Sequence, residues 1–146
     1  MNRKSDLNQC RGRVTHASNG VFKAGQSGSI VVEAKIESLI MCRGVYAHLI
    51  GYEQVCWKNT AKPDTSNASR HPIYKDEVLV YGRSDHNDAV AVGTHEFHAR
   101  FRLPDDLPSS FSLDEQNPHT GVFYVVEAEF RTITKLRSPP TFIQVE

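Results

Sequence analysis

GTHEFHARFRLPDDLPSSF, running from Gly93 to Phe111, decides how the rest of this chain is read. Its first half alternates. Phe97, Ala99, Phe101 and Leu103 fall on one face of an extended chain, and Glu96, His98, Arg100 and Arg102 fall on the other. Successive strand side chains point to opposite sides, so this period of two marks a half-buried strand. Pro104 and Pro108 then end it, because proline lacks a backbone N–H and biases the residue before it away from helix.

The same pattern recurs on both sides of that stretch. Ser29 to Ile36 places Ile30, Val32, Ala34 and Ile36 on one face. Arg43 to Trp57 alternates too, with Val45, Ala47, Leu49, Gly51, Glu53, Val55 and Trp57 on one side. Tyr46, His48, Ile50, Tyr52, Gln54 and Cys56 lie on the other. Both of those faces are partly apolar, which predicts a central strand. Further strands are predicted at Arg11 to His16, Pro72 to Tyr81, Gly121 to Arg131 and Thr141 to Val145, with a turn-rich approach from Val21 to Gly28. The polar runs from Lys58 to His71 and Gly82 to Ala89 read as loops, and Ser109 to Gln116 has room for one helical turn. No longer segment shows a helical period. About seven to nine strands joined by turns predict an all-β, immunoglobulin-like antiparallel β-sandwich.

The chain has 146 residues, enough for one domain with a real core. Its 17 basic and 17 acidic residues balance, which gives no overall bias toward nucleic acid or membrane. The amino-terminal stretch is an exception: Arg3, Lys4, Arg11, Arg13 and Lys23 face only Asp6, a local net charge of +4. No apolar run is long enough to span a bilayer. The opening Met-Asn-Arg-Lys-Ser-Asp lacks the apolar core of a signal peptide. The three cysteines, Cys10, Cys42 and Cys56, cannot all pair within the chain and match no zinc or redox spacing. A reducing, cytosolic setting with free thiols is therefore expected, and the sequon Asn67-Ala68-Ser69 is read as chance.

Reactive chemistry is not evident. His95 and His98 would face opposite sides of a strand, and the other five of the seven histidines lie in separate segments without ligand-spaced partners. Neither a metal site nor a cofactor site is predicted, and no nucleophile elbow or phosphate-cradling loop is present. Asp105-Asp106 and Asp114-Glu115 read as solvated loop tips. The outward stripe His98, Arg100 and Arg102 is read as a solvated sheet face balanced by Glu127 and Glu129 on a neighbouring strand. Trp57 and Tyr124 are read as packing residues, the Tyr124 hydroxyl finding a partner.

Several segments together resemble one family. Leu103-Pro-Asp-Asp-Leu107-Pro-Ser-Ser-Phe111, following an aromatic strand, is similar to the amino-terminal domain of arrestins, most closely the arrestin-domain-containing (α-arrestin) branch. Val21-Phe-Lys-Ala-Gly25-Gln-Ser-Gly28 resembles that family's early turn, with Ala24 in place of its usual proline and Gln26 in place of its glutamate. Arg43 to Trp57 and Thr120 to Ala128 resemble two of its strands, in the same order and spacing.

The resemblance implies a single arrestin-like amino-terminal domain over residues 1–146, with residues 1–10 flexible and the family's second domain absent from this chain. Because Thr141 to Val145 matches that domain's final strand, a fragment of a longer protein is expected. The implied function is that of a non-enzymatic cytosolic adaptor. It would bind cytoplasmic tails of membrane receptors or transporters, phosphorylated tails among them, and link them to endocytic sorting or ubiquitination. Ubiquitin ligases would engage regions outside this chain. Recruitment to the plasma membrane or endosomes would follow. A trafficking-coat subunit of the retromer arrestin-like type is the alternative. By the same resemblance the first strand lies at a sheet edge, where Arg11 and Arg13, with Lys23 nearby, would receive phosphate. An arginine fork suits phosphate, and an edge strand suits an extended peptide.

Overall fold

Alternation builds the two sheets of this protein, and a few aromatic contacts lock them. The computed structural model describes residues 10–16, 21–58, 66–113, 119–132, 136–138 and 140–146, and for 10–16, 58 and 66 it describes the backbone alone. The strands in chain order are β1 (Cys10–His16), β2 (Val21–Phe22), β3 (Ser27–Ile36), β4 (Ile40–Cys42), β5 (Val45–Lys58) and β6 (Ser66–Tyr81). They continue as β7 (Asp88–Val90), β8 (Gly93–Arg102), β9 (Phe111–Ser112), β10 (Gly121–Phe130), β11 (Leu136–Arg137) and β12 (Thr141–Val145). A small sheet has the order β1-β3-β8, and a large one runs β2-β12-β10-β5-β6 with β9 and β11 also pairing with β10. β4 and β7 form a separate two-stranded sheet, brought together from distant parts of the chain. All of these pairings are antiparallel except β2 with β12.

The inner faces are those the alternation predicts. Ile30, Val32, Ala34, Ile36, Phe97, Ala99, Phe101 and Leu103 line the small sheet's side of the core. Val45, Ala47, Leu49, Val122, Tyr124, Val126, Ala128, Phe130, Ile143 and Val145 line the large sheet's side. Each large apolar side chain buried in this way contributes about 1.5–3 kcal/mol.

Tyr124 ties the Leu-Pro segment to the core. Its ring is fully buried, and its hydroxyl donates to the Pro108 carbonyl at 2.6 Å, so the loop after β8 is held against β10. Burial pushes the phenol's pKa up, which keeps the donor proton in place. The ring occupies the space where a Cβ on Gly51 would stand, 2.6 Å away, beside a break in the β5–β6 register. At Gly28 the same logic applies to the Phe22 ring, and space, not a positive φ, demands the glycine there.

Three expectations fail locally. Asp88 and Ala89, expected at the end of a loop, instead open β7, where they pair with Cys42 and Met41. Ser66 to His71 is not loop but the first part of β6, paired with Glu53 to Lys58; residues 59–65 lie outside the described residues. Backbone hydrogen bonds to β5 hold this polar stretch extended, and as the last strand of its sheet it needs no apolar outer face. The helical turn allowed for Ser109 to Gln116 is replaced at Phe111–Ser112 by a short strand on β10, with residues 114–118 outside the described residues. The flexibility expected of residues 1–10 also concerns residues outside those described, apart from the backbone of Cys10, which opens β1.

Candidate partner-binding surface

The small sheet leaves two edges open. β3 lies in the middle, so among the described residues β1 and β8 each have one side without a hydrogen-bonded neighbour. Register places the Arg11 backbone opposite Lys35 and the Arg13 backbone opposite Glu33, while both of these arginine side chains lie outside the description. Lys23 is exposed in the turn after β2, where Gln26 N–H donates to the Lys23 carbonyl. That turn leads into Ser27, the start of β3. Lys23 therefore stands at the opposite end of β3 from Arg11, with the stretch Ser27 to Lys35 between them, roughly 26 Å of extended chain. Spread along the sheet in this way, the three positions form no compact cluster.

On β8 the side chains of His98, Arg100 and Arg102 stand outward and exposed, as the alternation predicts. Their neighbours across the register are Val31, Ser29 and Ser27. The expected balance by Glu127 and Glu129 does not occur, because β10 lies in the other sheet, between β5 and β12. Among the described residues none of His98, Arg100 and Arg102 has an ion pair or a side-chain hydrogen bond. The carboxylates of this face sit one row further along, where Glu96 and Glu33 are opposite each other.

The large sheet's outer face is organised differently. His48 and Glu129 are each 1% exposed, although both point away from the core. The His48 Nε2–H donates to Glu129 Oε1 at 2.7 Å, and Arg131 Nε donates to the same oxygen at 3.3 Å. Arg131 also pairs with Glu77 and covers the Tyr46 ring, its guanidinium carbon 3.6 Å from the centroid. Arg137 pairs with Glu127 at 3.1 Å. The remaining ring nitrogen, His48 Nδ1, has no hydrogen-bond partner and lies 3.8 Å from Glu77 Oε2. Burial pushes the Glu129 carboxyl's pKa up, but the His48 hydrogen bond and the charges of Arg131, His48 and Arg137 outweigh it and hold the carboxyl below its ordinary range.

This cluster was not legible from spacing, since His48 and Glu129 are separated by 81 positions. Only strand pairing brings them together, with Glu129 opposite Tyr46 and His48 opposite Glu127 and Glu77 in register. Its two carboxylates approach opposite nitrogens of one imidazole, which is not a chelating arrangement. Among the described residues no group of three His, Cys, Asp or Glu side chains could hold a metal ion. Cys42 and Cys56 are free thiols; Cys42 is buried, and desolvation raises its pKa.

The sequence profile described as "Arrestin (or S-antigen), N-terminal domain" matches residues 13–143. The chain belongs to the arrestin family. A search of curated proteins by sequence found no match. Among solved structures, this arrestin domain is similar to Spo0M, a sporulation control protein from Bacillus subtilis. The TM-score is 0.63 at 15% identity, over 94% of this chain and 49% of that one. A second likeness, to the C-terminal domain of wzt, has a TM-score of 0.47 at 12% identity, over 94% of this chain and 74% of that one. At 15% identity the Spo0M likeness concerns the fold alone. The arrestin domain spans about half the length of the Spo0M chain.

Beyond the charged faces, the arrestin domain carries an apolar groove of about 410 Å³ where β5 and β6 pass the Leu-Pro segment. Val55, Ile73, Pro108, Phe111, Leu113 and Val122 help to line it. Trp57, two residues beyond Val55 on β5, is half exposed and is a rim residue, not a core one. Among the described residues no helix is long and apolar enough to cross a membrane.

Proposed function

We propose that this arrestin domain is a non-enzymatic, cytosolic protein-binding adaptor. It receives cytoplasmic tails of membrane receptors or transporters as an added strand on β1 and links them to endocytic sorting or ubiquitination. The observation that carries this reading is the open edge of β1, whose backbone runs beside β3 and leaves its other side free to pair among the described residues. An extended tail segment pairing there would gain main-chain hydrogen bonds, and Arg11 and Arg13 would supply charge for phosphorylated side chains. Lys23, at the far end of β3, would meet the same segment only if it runs the length of the sheet. The family match supports an adaptor or trafficking role at this level.

The test is charge reversal at Arg11 and Arg13 to Glu, read by titration with a phosphoserine-containing tail peptide at low salt. The reading expects weaker binding with unchanged melting behaviour. Equal affinity in the wild type and the double variant would contradict it.

A further inference from the structure

We propose that the open edge of β8 is a second docking edge, and that its ligand is an extended peptide with acidic side chains at alternate positions. This goes beyond the β1 reading and shares with it only the premise that the domain binds peptides.

Charge and geometry carry the proposal together. His98, Arg100 and Arg102 are exposed, point to one side and have no carboxylate partner among the described residues. Their cross-strand neighbours on β3 are Val31, Ser29 and Ser27, none of which carries a charge. Alternate residues on a strand are about 6.6–7 Å apart. A strand added to the free side of β8 would present its own alternate side chains at that spacing, roughly 5 Å across from the basic ones. Acidic residues at those positions would meet each cation in turn.

The face also limits where acid is welcome. One row beyond His98, Glu96 would repel a further carboxylate. The backbone is equally permissive: Gly93 to Arg102 contains no proline, so every second residue, whose N–H and C=O point away from β3, can donate and accept along the edge. The long edge strand β6 differs, since Pro72 interrupts it and Arg70, His71, Lys75, Asp76 and Glu77 mix both signs along its length. Such features blunt an edge against pairing.

The experiment uses the whole chain and a short labelled peptide of alternating Thr and Glu, followed by fluorescence anisotropy at low salt. An isomer with its glutamates in one block serves for comparison. Arg100→Glu with Arg102→Glu should weaken binding of the alternating peptide roughly tenfold or more, while Arg11→Glu with Arg13→Glu should leave it within about twofold. The milder pair Arg100→Ala with Arg102→Ala should give an intermediate loss, which guards against a folding defect in the reversal variant. The block isomer should bind more weakly than the alternating one. The proposal is overturned if reversal at Arg100 and Arg102 leaves peptide affinity unchanged, or if the block isomer binds as well. It is also overturned if the reversal abolishes attachment to phosphatidylserine vesicles while peptide binding persists, which would assign the face to a membrane. Loss of peptide binding only in the Arg11 and Arg13 variant would support the β1 edge and remove this one.

Discussion

On the large sheet, His48, Glu129, Arg131 and Glu77 stand on the outward face, yet His48 and Glu129 are almost sealed from water and each charge has a counterpart. On the small sheet, His98, Arg100 and Arg102 also stand outward, but they are exposed and their register neighbours carry no charge. The residue types are nearly the same; their partners are not. A charge satisfied within the fold has desolvation already compensated and little left to offer a ligand. A charge left in water keeps its capacity for a new pair. The first face is tied into the fold, and the second keeps its charges in water.

Changes beneath both faces set the upper limit of this comparison. Leu103 is fully buried, so Leu103→Asp places an unpaired charge in the shared core and should leave no cooperative melting transition. A native-like melt would mean the inward face of β8 is misread. Next comes Glu129→Ala, which leaves His48 and Arg131 without their shared acceptor. Its expected cost is about 3–5 kcal/mol in denaturant unfolding, the usual penalty for removing one partner from a buried pair. In the same assay Arg100→Ala with Arg102→Ala should stay within about 0.5 kcal/mol, as exposed changes do. Equal losses at the two faces would erase the distinction.

Acid sharpens it. The Glu129 carboxyl has a lowered pKa in the folded state, so its contribution is complete above the ordinary carboxylate range. That contribution disappears as pH falls through Glu129's own, lower value. Thermal melts should therefore show a smaller acid-side drop for Glu129→Gln than for the wild type. An identical drop would mean that other carboxylates govern acid unfolding.

The inner faces of β3, β8 and β10 could be read from alternation alone, because burial on one side leaves a period of two in the sequence. Ile30 to Ile36 and Phe97 to Leu103 obey it residue by residue. Ser66 to His71 could not be read this way, since an edge strand held by backbone hydrogen bonds needs no apolar signature. The sealing of Glu129 was equally hidden. It depends on which strands flank β10, and on Tyr46 and Glu77 arriving from distant segments to meet the nearby Arg131. The basic stripe illustrates the same limit. Its outward direction followed from the sequence, but its lack of carboxylate neighbours followed only from pairing β8 with β3. Of the residues singled out for phosphate, the register separates Lys23 from Arg11, a distance no local pattern encodes.

The most direct test of the account is a map of backbone amide chemical shifts during titration with an acidic, extended peptide. Perturbations are expected to be confined to the small sheet, along the open edge of β8 for a peptide of alternating Thr and Glu and along that of β1 for a phosphoserine-containing tail peptide, with the amides around His48, Glu129 and Arg131 unmoved. Perturbations centred on the large sheet's charged face, with β1 and β8 silent, would contradict it.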